Sequence, residues 1–569
     1  MTTEPTRRFN TAGVCKPLKH YMIPAVPRVP DISDMINGEH YFVFHAPRQS
    51  GKTTCLTALT DRINSTGKYY AIYCELSALG DTVDAETAMG QIVAEIDAGL
   101  LLSKVDEIRR LAFSFASEPY MASAVTKVRL MLNDLCRALD RELVIFFDEV
   151  DSLHEAPLLM FLMQIRAGYN LRFESPASRF PRSMALVGMR DIKDYLTKVR
   201  SDSESKGPGG SPFNVREPSL SLADFTREEI EALYGQHTAE TGQVFEPEAV
   251  ERAWHWTEGQ PWLVNALAKD IVVKRFRNDY SRAVTGADVE AAVRDIILRD
   301  ETHFYSLRER LREPRVRRVV ETVLVGAASL PRAISNDDAK YAIDLGLLKA
   351  DPETGKPKRP ANPIYSEIIA RTLTEKLQEM MPDDLPGKWM DGTRLDMNGL
   401  LKAFQTYWLR NRKSLAKDNE LDSRVKESIK EALARFNIAD GGMGDALAMT
   451  IRKGLTDRST EAFCLLVLFA FLQRVVNGGA KIDRDYALGK TRVDIFVQYK
   501  GIPYPLELKI KGNRSRKKSV AQLCGYMEES GVPVGWLIIF DRNMRKPWGE
   551  KVFWETMDCG GKTIHVVGC

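Results

Sequence analysis

Short apolar runs rich in β-branched and aromatic residues recur through the first third of the chain, each followed by a stretch with helical spacing. The runs are Tyr41–His45, Tyr69–Glu75, Leu143–Asp148 and Met184–Gly188. Strand and helix in alternation predict a parallel sheet with helices on both faces. A long helical stretch, Glu86–Arg141, separates the second and third strands. Further on, Leu222–Lys274 reads as several amphipathic helices, and Glu301–Leu377 as a small helix-rich unit. Within that unit, Asp337–Leu348 has helical spacing and is followed by a turn-rich basic segment at 351–360. The last stretch, Asp457–Cys569, reads as helix, strand, turn, strand, basic loop and helix.

The polar positions supply the punctuation. Four prolines, Pro17, Pro24, Pro27 and Pro30, predict an extended arm before the first strand. Ser201–Pro212 is small, polar and glycine-rich, as a flexible loop is. A polar helical connector is expected over 383–456. The domains expected are an arm at 1–30, an α/β core at 31–220, a helical unit at 221–300, a helix-and-hairpin unit at 301–382, the connector, and a last domain at 457–569.

At 569 residues the chain exceeds what one hydrophobic core holds. With 44% hydrophobic and 28% charged residues, it has the balance of a soluble globular protein. A net charge of +3 is too small to imply nucleic-acid binding, so only local clusters carry such a signal. The eight cysteines include no CxxC pair, which argues against zinc and a disulfide framework and suits a reducing cytoplasm. The N-terminus has no apolar core of a signal peptide. The most apolar helix, Ala462–Val476, is too short to span a bilayer and carries Gln473 and Arg474. The expectation is a soluble cytoplasmic protein with no membrane partner.

The first candidate site is Ala46-Pro47-Arg48-Gln49-Ser50-Gly51-Lys52-Thr53, followed by Thr54, between an apolar strand and a helix. Backbone N–H groups of such a loop hold phosphates at a helix N-terminus. Lys52 brings a charge to the β- and γ-phosphates, and the Thr53 hydroxyl ligates Mg²⁺. Ala46 stands where glycine is usual. Leu143–Asp148 is a buried-strand run ending in Asp148 and Glu149. Asp148 is expected to hold the magnesium shell and Glu149 to polarise the attacking water of ATP hydrolysis.

On these motifs the first 380 residues resemble the AAA+ superfamily, close to its archaeal-type and STAND-like ATPases. The resemblance implies a helical lid and a winged helix after the core. It places a sensor at Arg190 and a lid motif that reads the nucleotide at Gly259–Trp262, including Pro261. The alternative for that motif is a turn that starts a helix, since proline suits the first helical position. The arm Phe9–Arg28 is expected over the adenine. Arg166 and Arg182 lie where arginine fingers occur, without a local feature that selects either.

The second candidate site lies near the C-terminus. Alternation over Thr491–Gln498 places Asp494, Phe496 and Gln498 on one face and Val493, Ile495 and Val497 on the other. After a turn, Glu507 and Lys509 are two apart and share a face. A hairpin of this length sets Asp494 beside Glu507, and two close carboxylates need a hard cation between them. Lys509 is then placed to orient a water and to stabilise charge on a phosphate. The arrangement resembles the PD-(D/E)xK nuclease superfamily, whose leading proline is replaced by Val493. The resemblance adds Gln522 as a further catalytic residue, Tyr526, four residues on, as a nucleic-acid contact, and Glu461 as a further metal ligand. The basic run Lys511, Arg514, Arg516, Lys517 and Lys518 is expected to contact phosphate. A second basic cluster, Arg308–Arg318, is read either as a DNA contact or as a solvated helix.

Together the resemblances imply a multidomain α/β protein: a P-loop parallel-sheet AAA+ core with helical lid and winged helix, plus a C-terminal α/β restriction-endonuclease-like domain. ATP, Mg²⁺ (or Mn²⁺ at the nuclease site), nucleic acid with DNA ahead of RNA, a homo-oligomer and a role in prokaryotic defence are what they imply. The rival reading is a nucleotide switch that oligomerises and uses its last domain only to bind nucleic acid or a partner.

Overall fold

The computed structural model describes residues 5–29, 31–80, 82–114, 124–172, 174, 178–188, 220–299, 302–324, 334–379, 389, 393–417, 464, 467–468, 471–472, 481–488, 491–510, 516–541 and 550–569. The chain divides into two compact units, one of Met1–Leu307 with Ser335–Tyr365, the other of Arg308–Ile334 with Ser366–Cys569. The division runs through the segment 301–382, which the sequence reading treated as one domain. The helix and hairpin expected there are present as Asn336–Asp344, β6 (Leu348–Ala350) and β7 (Pro357–Pro360). The loop Ser201–Pro212, Arg190, Glu461, Lys511 and Arg514 lie outside the described residues.

In the first unit, β1 (Tyr41–His45), β2 (Tyr70–Glu75), β3 (Leu143–Asp148), β4 (Ser183–Gly188) and β5 (Leu220–Ser221) form a sheet in the order β2-β3-β4-β1-β5. Every pairing is parallel. Neighbouring residues enter opposite cores, as a two-residue period requires. Tyr41, Val43, Ile145 and Leu186 pack with the helices Ala85–Leu101, Lys127–Ala138 and Glu155–Leu171. Phe42, Phe44, Val144 and Val187 pack with the helix Lys52–Thr66. Because both faces are covered, all six residues of β3 are buried, which explains its unbroken apolar run. The short strand β5 was not expected.

The helices Arg227–Thr241, Pro247–Thr257, Pro261–Lys269 and Gly286–Leu298 follow. Thr226 with Glu229 and Thr285 with Asp288 form capping boxes that start two of them. The N-terminal arm lies on these helices. Phe9 packs with Tyr21, Tyr234, His237 and Phe245, and Arg7 pairs with Glu240 at 2.5 Å. Gly259, in the turn before Pro261, has φ +81°, and a Cβ there would stand 1.9 Å from the Phe225 carbonyl oxygen.

In the second unit, β8 (Lys481–Leu488), β9 (Thr491–Tyr499), β10 (Ile502–Ile510), β11 (Val534–Phe540), β12 (Trp554–Cys559) and β13 (Lys562–Gly568) form a mixed sheet. Its order is β12-β13-β11-β10-β9-β8. The hairpin β9–β10 was expected; β8 and the parallel pairing of β10 with β11 were not. One face packs on Leu400, Leu401, Phe404 and Tyr407 of the helix Met397–Lys417. That helix, assigned from its polarity to a connector, therefore supplies core to this sheet. The other face packs on Leu523, Tyr526 and Met527 of the helix Arg516–Ser530.

Cys524 on that helix and Cys559 at the end of β12 are joined in a disulfide, which corrects the expectation of unpaired thiols. A separation of 35 residues hid the pair, because only the sheet brings the two Cα atoms to 6.3 Å. Among the described residues, no helix is long and apolar enough to cross a membrane.

The close approach at Gly259 yields a test. Gly259→Ala introduces both a strained φ and a clash with backbone, so the first unit should lose about 2–4 kcal/mol of stability. Urea denaturation followed by circular dichroism measures it, with Gly355→Ala, whose added Cβ meets nothing within 4 Å, as the comparison.

Candidate functional site

The parallel sheet brings the C-terminal ends of β1 and β3 to one edge. The loop after β1 reaches the helix Lys52–Thr66 through Gly51 at φ +95°. The Ala46 N–H donates to the Gly188 carbonyl at 3.3 Å, which ties the loop to the end of β4. The Ser50 hydroxyl donates to the Pro47 carbonyl at 2.8 Å. The Lys52 ammonium donates to the Ala46 carbonyl at 2.9 Å and the Pro47 carbonyl at 3.3 Å, so it is held directly over the loop. From β3, the wholly buried Asp148 carboxylate accepts from the Thr53 hydroxyl at 2.8 Å, from the Tyr73 hydroxyl at 3.0 Å and from the Glu149 N–H at 2.9 Å. Burial raises its pKa, against which these donors and the Lys52 charge act. Glu149 is held at φ +56°, and burial, then the nearby Asp151, raises its pKa.

Residues remote in sequence close around this loop. The Arg28 guanidinium, from the arm, donates to the Ser50 and Ala223 carbonyls and lies over the Phe225 ring. The Cys15 N–H donates to the Thr54 hydroxyl at 3.1 Å. His303, at the start of the helix Thr302–Arg312, bonds to the Gln49 side chain. Gly346, after the helix Asn336–Asp344, has φ +74°, and a Cβ there would lie 2.5 Å from the Pro47 ring. His45 at the end of β1 stands 3.5 Å from Asp344.

Gln260 caps the Leu263 N–H at 2.7 Å and Pro261 is the first residue of its helix, so the lid motif is built as a helix start. Trp262, the next residue, donates to the Thr11 carbonyl at 3.0 Å and stacks on His303. Arg182 donates to Glu142 and to the Ile36 and Asn37 carbonyls, an anchoring role that sets it apart from an arginine finger. Sequence reading missed Tyr73, Arg28 and His303. A tyrosine in a strand reads as core, and nothing near Arg28 or His303 in the chain marks a contact with residues 49–50.

In the second unit, the ladder between β9 and β10 ends at Ile495 opposite Leu506. Beyond it the Leu508 N–H donates to the Asp494 carboxylate at 2.7 Å in place of a backbone carbonyl. The expected alternation breaks at the same point: Val493 packs with Phe496 in the helix-side core instead of with Ile495. Glu507 is wholly buried, and among the described residues its carboxylate meets the Lys509 ammonium, which stands 2.7 Å from it and 3.5 Å from Asp494. Burial first, and the Asp494 charge second, push the Glu507 pKa up to about 7 against the pull of Lys509. A buried carboxylate held by a lysine, beside a second carboxylate, has donor chemistry that suits a hard divalent cation. Among the described residues these two acids gain no third His, Cys, Asp or Glu ligand.

Gln522 is exposed on the helix Arg516–Ser530, as are Arg516, Lys517 and Lys518. Tyr526 is not: its ring is 1% exposed, in the core against Phe496. This corrects the expected nucleic-acid contact. Residues four apart diverge by about 40° around a helix, enough at the edge of the buried face to set one outside and the other inside. In the basic cluster Arg308–Arg318, Arg310, Arg312 and Arg317 pair with Glu313, Glu309 and Glu321 along the chain.

No protein-family profile matches the chain, and no curated protein matches it. Among solved structures, it is similar to the Walker-type ATPase PABY2304 of Pyrococcus abyssi, at 13% identity over 63% of this chain and 99% of that one, with a TM-score of 0.42. The ORC2 protein of Aeropyrum pernix in its ADPNP–ADP complexes gives 14% identity, coverages of 61% and 91%, and a TM-score of 0.36. The RuvB Holliday junction branch migration motor of Thermotoga maritima gives 14% identity, coverages of 62% and 93%, and a TM-score of 0.29.

The state of Glu507 predicts a pH dependence. An unfolded glutamate titrates near about 4.3, and the folded one near about 7. Between those values the folded chain keeps a proton that the unfolded chain has lost, so stability of the second unit should fall as pH rises through that window. Glu507→Gln should flatten the slope and, above pH 7 without divalent cations, add about 1–3 kcal/mol. Chemical denaturation from about pH 4.5 to 8 checks both, and a slope unchanged by the substitution rejects the assignment.

Proposed function

We propose that the chain is an AAA+-type ATPase that regulates or powers a metal-dependent nuclease in its C-terminal unit, with DNA as the favoured substrate. The observation that carries the nuclease half is the wholly buried Glu507 carboxylate with Asp494 and Lys509 gathered beside it. The ATPase half is supported by Lys52 over the phosphate loop and by the bond between Thr53 and Asp148.

In the ATPase half, the Lys52 ammonium exchanges its loop carbonyls for the β- and γ-phosphates. Thr53 and Asp148 orient the inner and outer shells of a magnesium site. Glu149 sits one residue beyond and accepts the proton of the attacking water. Its raised pKa makes it a better base than an exposed carboxylate would be. Arg190 and Pro261 belong to this reading as sensor and lid residues.

In the nuclease half, Asp494 and Glu507 hold the metal, with Glu461 as the further ligand. Magnesium or manganese there supplies a Lewis acid for the scissile phosphate and lowers the pKa of a bound water. Lys509 stabilises charge on the phosphate, and exposed Gln522 lies on the substrate side. Lys511, Arg514, Arg516, Lys517 and Lys518 bind the backbone, which makes affinity salt-dependent. Assembly into a homo-oligomer and a role in prokaryotic defence rest on the resemblance of the motifs alone.

Three groups of variants are expected to fail differently. Lys52→Ala should abolish ATP binding, whereas Glu149→Gln should keep binding and lower turnover by at least about a hundredfold. Fluorescent-nucleotide titration and phosphate release separate them. Asp494→Asn and Lys509→Ala should each stop single-turnover cleavage of labelled DNA, but only Asp494→Asn should weaken Mn²⁺ binding in calorimetry. Wild-type protein that cuts neither DNA nor RNA with Mg²⁺ or Mn²⁺ under any nucleotide condition, together with normal Mn²⁺ binding by Asp494→Asn, would sink the nuclease reading and leave a binding domain.

A further inference from the structure

His303 is a buried histidine with both ring nitrogens engaged and no part in the chemistry above. Its Nδ1 bonds to the Gln49 amide oxygen, and its Nε2 lies 2.7 Å from the Tyr365 hydroxyl. An amide oxygen only accepts, so Nδ1 carries the proton and Nε2 accepts from Tyr365. One face of the ring stacks on Trp262, with centroids 4.2 Å apart and planes 11° from parallel. Burial, and then the Arg48 charge, lower its pKa to about 3, so the ring is neutral at working pH and its bonds keep one polarity.

Each partner belongs to a different element around the nucleotide site. Gln49 is in the phosphate loop, two residues before Gly51, and holds φ +59°, where a non-glycine residue needs support. Trp262 begins a lid helix, directly after Pro261, and its indole N–H holds the arm at Thr11. Tyr365 follows Asn362, whose side chain accepts from the Tyr365 N–H at 2.9 Å. One ring therefore touches the loop, the lid and the segment after β7.

We propose that His303 is a positioning residue for the nucleotide, holding Gln49, and with it the phosphate loop, in register with Trp262 of the lid and with Tyr365. The inference rests on the ATPase reading. Holding the loop in its binding conformation lowers the ordering cost of binding, and stacking on Trp262 passes a change in the loop to the lid.

The test uses the full chain. His303→Phe keeps a buried ring against Trp262 and removes both hydrogen bonds. Gln49 is exposed, so Gln49→Ala removes the same loop contact without opening the core. Each is expected to weaken fluorescent-ATP binding about tenfold, the scale of one lost hydrogen bond. The double variant should be no weaker than His303→Phe, because Gln49→Ala removes a contact that variant has already lost. His303→Gln, whose amide can still donate to Gln49, should recover most of the loss. The nucleotide-induced change in Trp262 emission, read as the difference from Trp262→Phe, should vanish in His303→Phe. Wild-type affinity in both single variants, or losses that multiply to about a hundredfold in the double variant, would overturn the inference while leaving the ATPase reading intact. Wild-type protein that binds no ATP would overturn the ATPase reading itself and remove the basis of this one.

Discussion

Two carboxylates, Asp148 and Glu507, are wholly buried near the ends of central strands, and the cost of taking a charge out of water organises the structure around each. Around Asp148 the protein meets that cost itself. Thr53, Tyr73 and the Glu149 N–H all donate to it, and these donors come from the helix after β1, from β2 and from the residue that follows β3. The bonds fix where the start of that helix stands relative to the acid. Around Glu507, the donor found among the described residues is the Lys509 ammonium at 2.7 Å, with the Asp494 carboxylate close by. The first acid is met by three neutral donors; the second, beside another carboxylate, is met by a lysine.

That difference also accounts for the local backbone. Asp494 takes the Leu508 N–H where the β9–β10 ladder stops, so the carboxylate replaces a carbonyl and the strands part at the site. Parting there breaks the alternation at Val493, which then joins the helix-side core. A flawless hairpin would have aimed the same residues without opening space between them.

In the first unit, the loop after β1 is a meeting point. Arg28 from the arm, His303 and Gly346 all reach residues 47–50, though they lie far from it along the chain. The loop's shape is thus tied to the helix Pro261–Lys269 through Trp262 and to the segment Ser335–Tyr365 through Pro47 and Gln49. A change in the loop has a physical route to both.

The strands at 41–45, 70–75, 143–148 and 183–188 were legible because their burial pattern is written in consecutive side chains. The strand–loop–helix turn at 41–66 was legible because a strand, a glycine, Lys52 and a helix start are neighbours in the chain. The same holds for Glu507 and Lys509, two apart on one strand. Strand order was not legible: nothing local says that β4 lies between β1 and β3, or that β10 pairs with β11 in parallel. The helix Met397–Lys417 looked like a connector because its polar face dominates the composition, while Leu400, Leu401 and Phe404 suffice to bury it. Tyr526 matched a motif by spacing, yet spacing cannot tell which side of a helix edge is wet. The Cys524–Cys559 bond and the three-way contact of His303 were invisible for one reason. Each depends on the distance between residues many positions apart, and a chain sets such distances only once its hydrophobic faces have chosen their partners.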